Sequence, residues 1–213
     1  MIVNDVISAL EEYAPTAYAE DFDNVGLLVG DKTAEVSGIL VTLDTLEETL
    51  DEAIDQNCNL IVSFHPIIFK GLKKITGKSY VERVVLKAIK NDIAIYAIHT
   101  ALDNSFEGVN HQICEEIGLV NRQILVPQPH TIKKLVAHVP QTHIDQVRAA
   151  LFEAGAGSIG NYDDCSFNIE GEGTFKANDN ANPTLGEIGK LHTEKEIQLH
   201  LTYAKHTESK VLK

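Results

Sequence analysis

Two stretches decide the fold: Asn59-Leu60-Ile61-Val62-Ser63-Phe64-His65-Pro66, and Asp92-Ile93-Ala94-Ile95-Tyr96-Ala97-Ile98-His99-Thr100-Ala101-Leu102-Asp103. Each is an apolar run of strand length that stops at an imidazole. Runs without polar alternation belong to strands covered on both faces, the habit of parallel sheets. A parallel sheet opens its binding crevice beyond the carboxyl ends of its strands. Two such endings in neighbouring strands therefore converge on one pocket, and function is sought there.

Outward from these runs the pattern alternates. Gly38 to Leu43 reads as a strand, Thr45 to Gln56 as a helix, Asn59 to Phe64 as a strand, Ser79 to Asn91 as a helix, Asp92 to Ile98 as a strand, and Phe106 to Ile117 as a helix. This β-α-β-α-β-α series predicts an α/β fold with a parallel or mixed sheet and flanking helices. Thr45-x-x-Glu48 and Ser79-x-x-Glu82 match the capping box, in which hydroxyl and carboxylate satisfy the free amides of a helix start. Before the series, Val3, Val6, Ile7, Leu10 and Tyr13 recur at helical spacing ahead of Pro15, so the chain opens on an amphipathic helix. The polar segment Ala19 to Gly30 reads as a loop.

Val126-Pro127-Gln128-Pro129 stiffens the backbone and removes donors, as a boundary requires. It divides a first α/β domain, residues 1–126, from a second, residues 130–213. The second reads as a strand from Lys134 to Val139, a helix from Thr142 to Ala154, short strands near Ser166 to Ile169 and Gly173 to Phe175, and a strand from Glu196 to Tyr203. That is the first part of a ferredoxin-like β-α-β-β-α-β unit, with its second helix and last strand missing.

Hydrophobic residues make up 44% of the 213, enough for a real core. Lys and Arg number 18 against 31 Asp and Glu, a net charge of −13 that repels phosphate backbones and anionic lipid surfaces. Nucleic acid and membrane are thereby set aside as main partners. Cys58, Cys114 and Cys165 are odd in number and widely spaced, which suggests neither a disulfide framework nor a thiolate zinc site and fits a reduced, cytoplasmic setting. No signal-peptide pattern opens the chain, and no apolar run approaches the roughly 20 residues needed to span a bilayer.

Four donors lie at or just past the ends of three strands: Asp44, His65, His99 and Asp103. Imidazole with carboxylate suits a divalent ion such as zinc, manganese or iron, which takes its ligands at about 2.0 to 2.2 Å. A single strand-end histidine is more often a hydrogen-bonded structural residue, so convergence is what carries the metal reading. Asp44 sits just ahead of Thr45 and is equally explained as support for a helix start. Asp23-Asn24 makes either an ordinary Asx turn or a polar wall of the pocket. Gly155-Ala156-Gly157-Ser158-Ile159-Gly160 has the letters of a dinucleotide fingerprint but follows a helix and precedes strands, the reverse of the phosphate-cradling context. His192, His200 and His206 share no context and are read as surface residues. Neither a Gly-x-Ser-x-Gly elbow nor a P-loop lysine motif occurs.

At these residues the chain resembles the Nif-three-like family, whose members are often labelled GTP cyclohydrolase 1 type 2 homologues. The carriers are Ala19 to Gly30, Ser63-Phe64-His65-Pro66-Ile67-Ile68-Phe69, Ile98-His99-Thr100-Ala101-Leu102-Asp103-Asn104 with Gly108-Val109-Asn110, and, in the small domain, Gly155 to Phe167 with Gly171 to Phe175. The resemblance implies a two-metal site built from a His-His-Pro motif, the aspartate of a His-Thr-x-Leu-Asp segment, and a His-x-x-x-Glu pair near a far C-terminus. Carried over, His65 is the second histidine and Asp103 the aspartate, while Phe64 stands at the first histidine. The closing segment belongs to a second α/β stretch after the small domain, so the resemblance implies a C-terminally truncated member with an incomplete site. It also implies a PII-like identity for the small domain, toroidal homohexamers, and a metal-dependent hydrolase of a nucleotide or similar small molecule, opening of the guanine ring of GTP included. The alternative is a metal-handling or regulatory assembly protein without catalysis.

Overall fold

A computed structural model describes residues 1–213. It divides into two compact units, Met1–Val126 and Pro127–Lys213.

In the first unit α1 (Val3–Tyr13) is followed by a 3-10 turn (Thr16–Tyr18), β1 (Gly26–Val29), β2 (Ile39–Thr42), α2 (Glu47–Asp55), β3 (Leu60–Ser63), α3 (Tyr80–Lys90), β4 (Ala94–Ala97), α4 (His99–Asp103) and α5 (Val109–Glu116). The sheet order is β1-β4-β3-β2. β2, β3 and β4 run parallel, and β1 closes the edge antiparallel to β4. Every residue of β3 and β4 is buried, the physical meaning of their unbroken apolar runs. One face is filled by Ile61 and Ile95 against Leu50 and Ala53 of α2 and Val84, Val85 and Ala88 of α3. The other is filled by Leu60, Val62 and Tyr96 against Val3 of α1. Each fully covered Ile or Leu contributes about 1.5 to 3 kcal/mol relative to exposure, so the two central strands anchor the unit.

Three expectations are corrected in this unit. The segment Ala19 to Gly30 is not all loop, because Gly26–Val29 forms β1. Gly30, at φ +107°, lets this strand approach β4 closely: a Cβ there would stand 2.6 Å from the Ala94 Cα. His99 and Asp103 lie on a short helix rather than in an open loop. Thr45 does not cap α2: the cap is Leu46, whose N–H donates to Thr49 Oγ1 at 3.2 Å, while the Thr45 hydroxyl is buried without a partner. Ser79 does cap α3, its Oγ accepting from the Glu82 N–H at 3.2 Å. The Glu82 carboxylate also accepts from the Thr76 N–H and hydroxyl and from the Lys78 N–H, bonds that bring its pKa down to about 2.

The second unit contains β5 (Ile132–Pro140), a 3-10 turn (Gln141–His143), α6 (Ile144–Glu153), β6 (Phe167–Lys176), β7 (Leu191–Ala204), a second 3-10 turn (Lys205–Thr207) and α7 (Glu208–Val211). The order β5-β7-β6, antiparallel throughout, places β7 between the two strands that α6 connects, which is the split β-α-β arrangement. Its core gathers Leu199, Leu201 and Tyr203 of β7 with Leu151 of α6 and Val211 of α7. The two short strands expected between Ser166 and Phe175 are one continuous strand, and the polar stretch after Thr207 folds into α7.

Candidate functional site

Sheet register gathers Asp44, His65, His99 and Asp23 into one row and leaves Asp103 outside it. β2 and β3 pair with a constant offset of 21, since Thr42 faces Ser63, and the ladder continues past the strands as the Phe64 N–H donates to the Thr42 carbonyl and the His65 N–H to the Leu43 carbonyl. The same offset takes Asp44 to His65 (44 + 21 = 65). β3 and β4 pair with an offset of 34, Ser63 facing Ala97, which takes His65 to His99 (65 + 34 = 99). The His99 N–H donates to the Phe64 carbonyl at 3.0 Å. Beyond β4, the antiparallel β1 pairs Gly26 with Ala97, so Asp23 and Asn24 come level with His99. Asp44, His65, His99 and Asp23 thus stand side by side at one end of the four-stranded sheet.

The side chains complete what the register begins. Asp44 Oδ1 accepts from His65 Nδ1 at 2.8 Å, with both side chains about half exposed. Asp23 accepts from His99 Nδ1 at 2.9 Å and has no exposed side-chain surface. The Asp23 carboxylate also accepts from the Thr100 N–H at 3.2 Å, the Thr100 hydroxyl and the Asn24 N–H at 2.7 Å. Burial pushes its pKa up, but the bonds from His99, Thr100 and Asn24 outweigh burial and hold it below the usual Asp value. A carboxylate acceptor directs Nδ1–H of each imidazole towards itself and turns Nε2 of each ring away from it, the nitrogen that ligates a metal when it is unprotonated. The two rings lie 5.5 Å apart between centroids. His99 holds φ at +26°, a left-handed conformation that a non-glycine residue keeps only where its surroundings fix it. Here the Asp23 and Phe64 bonds do so.

Phe64 sets its ring edge-on to both imidazoles, at 5.0 Å from His65 and 5.4 Å from His99, and packs against the α1-side core. The Phe69 ring also stands edge-on to His99, at 6.5 Å between centroids. Asn24 donates its N–H to the Asp23 carboxylate, and its side-chain amide donates to the Ile68 carbonyl at 2.5 Å, pinning the segment after His65. Asp103 stands one helical turn beyond His99, and its carbonyl accepts from Asn110 Nδ2 at 3.0 Å. Gly108 is required nearby, since a Cβ there would sit 1.8 Å from the Leu102 carbonyl oxygen.

In kind these donors suit a divalent ion, two Nε2 lone pairs with a carboxylate one turn away. In number they do not close a site: no group of three or more His, Cys, Asp or Glu side chains gathers tightly enough to hold an ion. Thr100 is the participant that sequence reasoning missed. Its signal was its place directly after a strand-end histidine, with hydroxyl and N–H both able to reach Asp23.

The family model Duf34/NIF3 (NGG1p interacting factor 3) matches residues 1–211. A Bacillus subtilis protein named GTP cyclohydrolase 1 type 2 homolog is 41% identical over 208 residues, 97% of this chain and 56% of its own. A Staphylococcus aureus protein of the same name is 36% identical over 210 residues, 99% of this chain and 57% of its own. Among solved structures, a Bacillus cereus protein related to NIF3 superposes with a TM-score of 0.78 at 38% identity, covering 100% of this chain and 56% of that one. Staphylococcus aureus protein SA1388 superposes with a TM-score of 0.66 at 29% identity, covering 100% and 54%. The chain spans about half the length of the curated relatives it matches.

Proposed function

We propose, from the premise that the chain belongs to the Duf34/NIF3 family, that it binds a divalent metal at the sheet end and serves metal-dependent hydrolysis of a nucleotide or similar small molecule. The observation that carries the proposal is the row Asp44, His65, His99, Asp23, in which each carboxylate holds an imidazole by Nδ1 and frees its Nε2. In this reading His65 and Asp103 are ligands to zinc, manganese or iron. Bound there, such an ion supplies a water whose pKa is lowered towards neutrality. Asp44 fixes the tautomer and direction of His65, as outer carboxylates do for ligating histidines. Asp23, itself held by Thr100, directs the His99 ring so that Nε2 takes a proton from a water or substrate group and returns it. Phe64 and Phe69 set their rings against the imidazoles and give the site an apolar flank.

The remaining donors come from the closing segment that the resemblance places after the small domain, and the working form is a cytoplasmic homo-oligomer, a hexamer by the same resemblance. The test measures metal content of the purified protein with its closing segment present, beside His65→Ala and Asp103→Asn, and turnover with zinc or manganese across a nucleotide panel. Loss of metal in both variants, with turnover above background, is expected. Unchanged metal in His65→Ala contradicts the metal reading.

A second reading, metal handling or regulation without catalysis, draws on Phe64. A benzene ring edge-on to both imidazoles offers no donor where a histidine could ligate a second ion. Background turnover with metal bound decides for it.

A further inference from the structure

We infer that the pocket takes a phosphate-bearing small molecule, and that the loop between β3 and α3 receives the phosphate. The inference rests on the proposed placing of the ligand beside His65 and His99. Residues 1–126 hold nine Lys and Arg against 20 Asp and Glu, yet four of the nine, Lys70, Lys73, Lys74 and Lys78, fall within one nine-residue stretch, and no acidic residue occurs between Asp55 and Glu82. Of the five cations elsewhere in this unit three are held: Arg83 by Glu47, Lys87 by Asp51, Arg122 by Glu115. The four loop lysines are exposed, and none of their ammonium groups has an ion-pair partner.

The loop is pinned at both ends. Asn24 Nδ2 holds the Ile68 carbonyl at one end, and the Glu82 carboxylate takes the Thr76 and Lys78 N–H groups at the other. Lys70 directly follows Phe69, whose ring meets His99. Four like charges held within one pinned loop repel one another, and an anion of two or more charges relieves that repulsion. Lysine binds phosphate as a mobile point charge, with no need for a glycine-rich cradle. In a chain of net charge −13 the loop is a local positive island that begins at the Phe69 contact with His99, which selects a compact anion over an extended nucleic-acid backbone.

The test is calorimetric titration of the 213-residue protein with inorganic pyrophosphate in EDTA at low salt, beside a variant carrying Lys70→Gln, Lys73→Gln, Lys74→Gln and Lys78→Gln, and a control carrying Lys32→Gln and Lys90→Gln. Binding by the parent should fall with added salt, weaken at least about tenfold in the loop variant, and stay within about twofold in the control. Equal binding by parent and loop variant, or none by the parent, overturns the inference. So does loop-dependent capture of anionic phospholipid vesicles without pyrophosphate binding, which identifies a membrane surface instead. Because EDTA removes metal from the titration, its failure leaves the metal reading standing, whereas metal retained by His65→Ala contradicts that reading alone.

Discussion

Two aspartate–histidine pairs stand 5.5 Å apart at one sheet end, alike in composition and opposite in surroundings. Asp23 is sealed from solvent and accepts from His99, both donors of Thr100 and the Asn24 N–H, while Asp44 is half exposed and its side chain holds His65 alone. The difference teaches that one pair is architecture and the other an adjustable contact. Asp23 joins β1 to the start of α4 and keeps His99 in its left-handed conformation, so the fold leans on it. Asp44 orients a ring that the fold would tolerate elsewhere.

Asp23→Ala breaks the comparison most severely. It leaves four buried donors without an acceptor and should lower unfolding free energy by about 3 kcal/mol in urea titration, since unmet buried donors cost about 1 to 3 kcal/mol each and partly recover by relaxation. The same residue sets an acid dependence. Its native pKa lies below its unfolded one, so its contribution is fully present above the ordinary Asp pKa of about 3.9 and is lost as pH falls through the depressed native value. The stability gap between the parent and Asp23→Asn should therefore be flat near neutrality and close as the solution is acidified below pH about 4, read from urea midpoints across a pH series.

Phe64→His sharpens the comparison by placing a third imidazole beside the two. Dialysis equilibrium should show zinc affinity raised about tenfold, the direction expected from an added nitrogen ligand. Asp44→Ala is the smallest perturbation of the fold. An exposed pair is worth about 0 to 1 kcal/mol, so the urea midpoint should hardly move, while metal affinity should fall about tenfold as it does when an outer carboxylate is lost.

The sequence revealed β3 and β4 because complete burial on both faces leaves an unbroken apolar run, and it revealed His65 and His99 because each ends such a run. The row itself was hidden, since the offsets of 21 and 34 are set by how strands slide against one another, which the residues of a single strand do not express. β1 escaped notice because Gly26-Leu27-Leu28-Val29 is four residues bounded by glycine, as turns also are. β6 looked like two strands because Gly171 and Gly173 interrupt an otherwise exposed segment. α4 has five residues, too few for helical periodicity to register, and so Asp103 read as a loop residue. Thr45 has the letters of a cap, but it is drawn under the surface and Leu46 takes the position.

A cobalt(II) titration followed by visible absorption, on protein that carries the closing segment, beside His65→Ala and a His192→Ala control, tests the metal reading most directly. The account predicts ligand-field bands in the parent and the control and their loss in His65→Ala. Bands that persist unchanged in His65→Ala, or their absence from the parent, would contradict it.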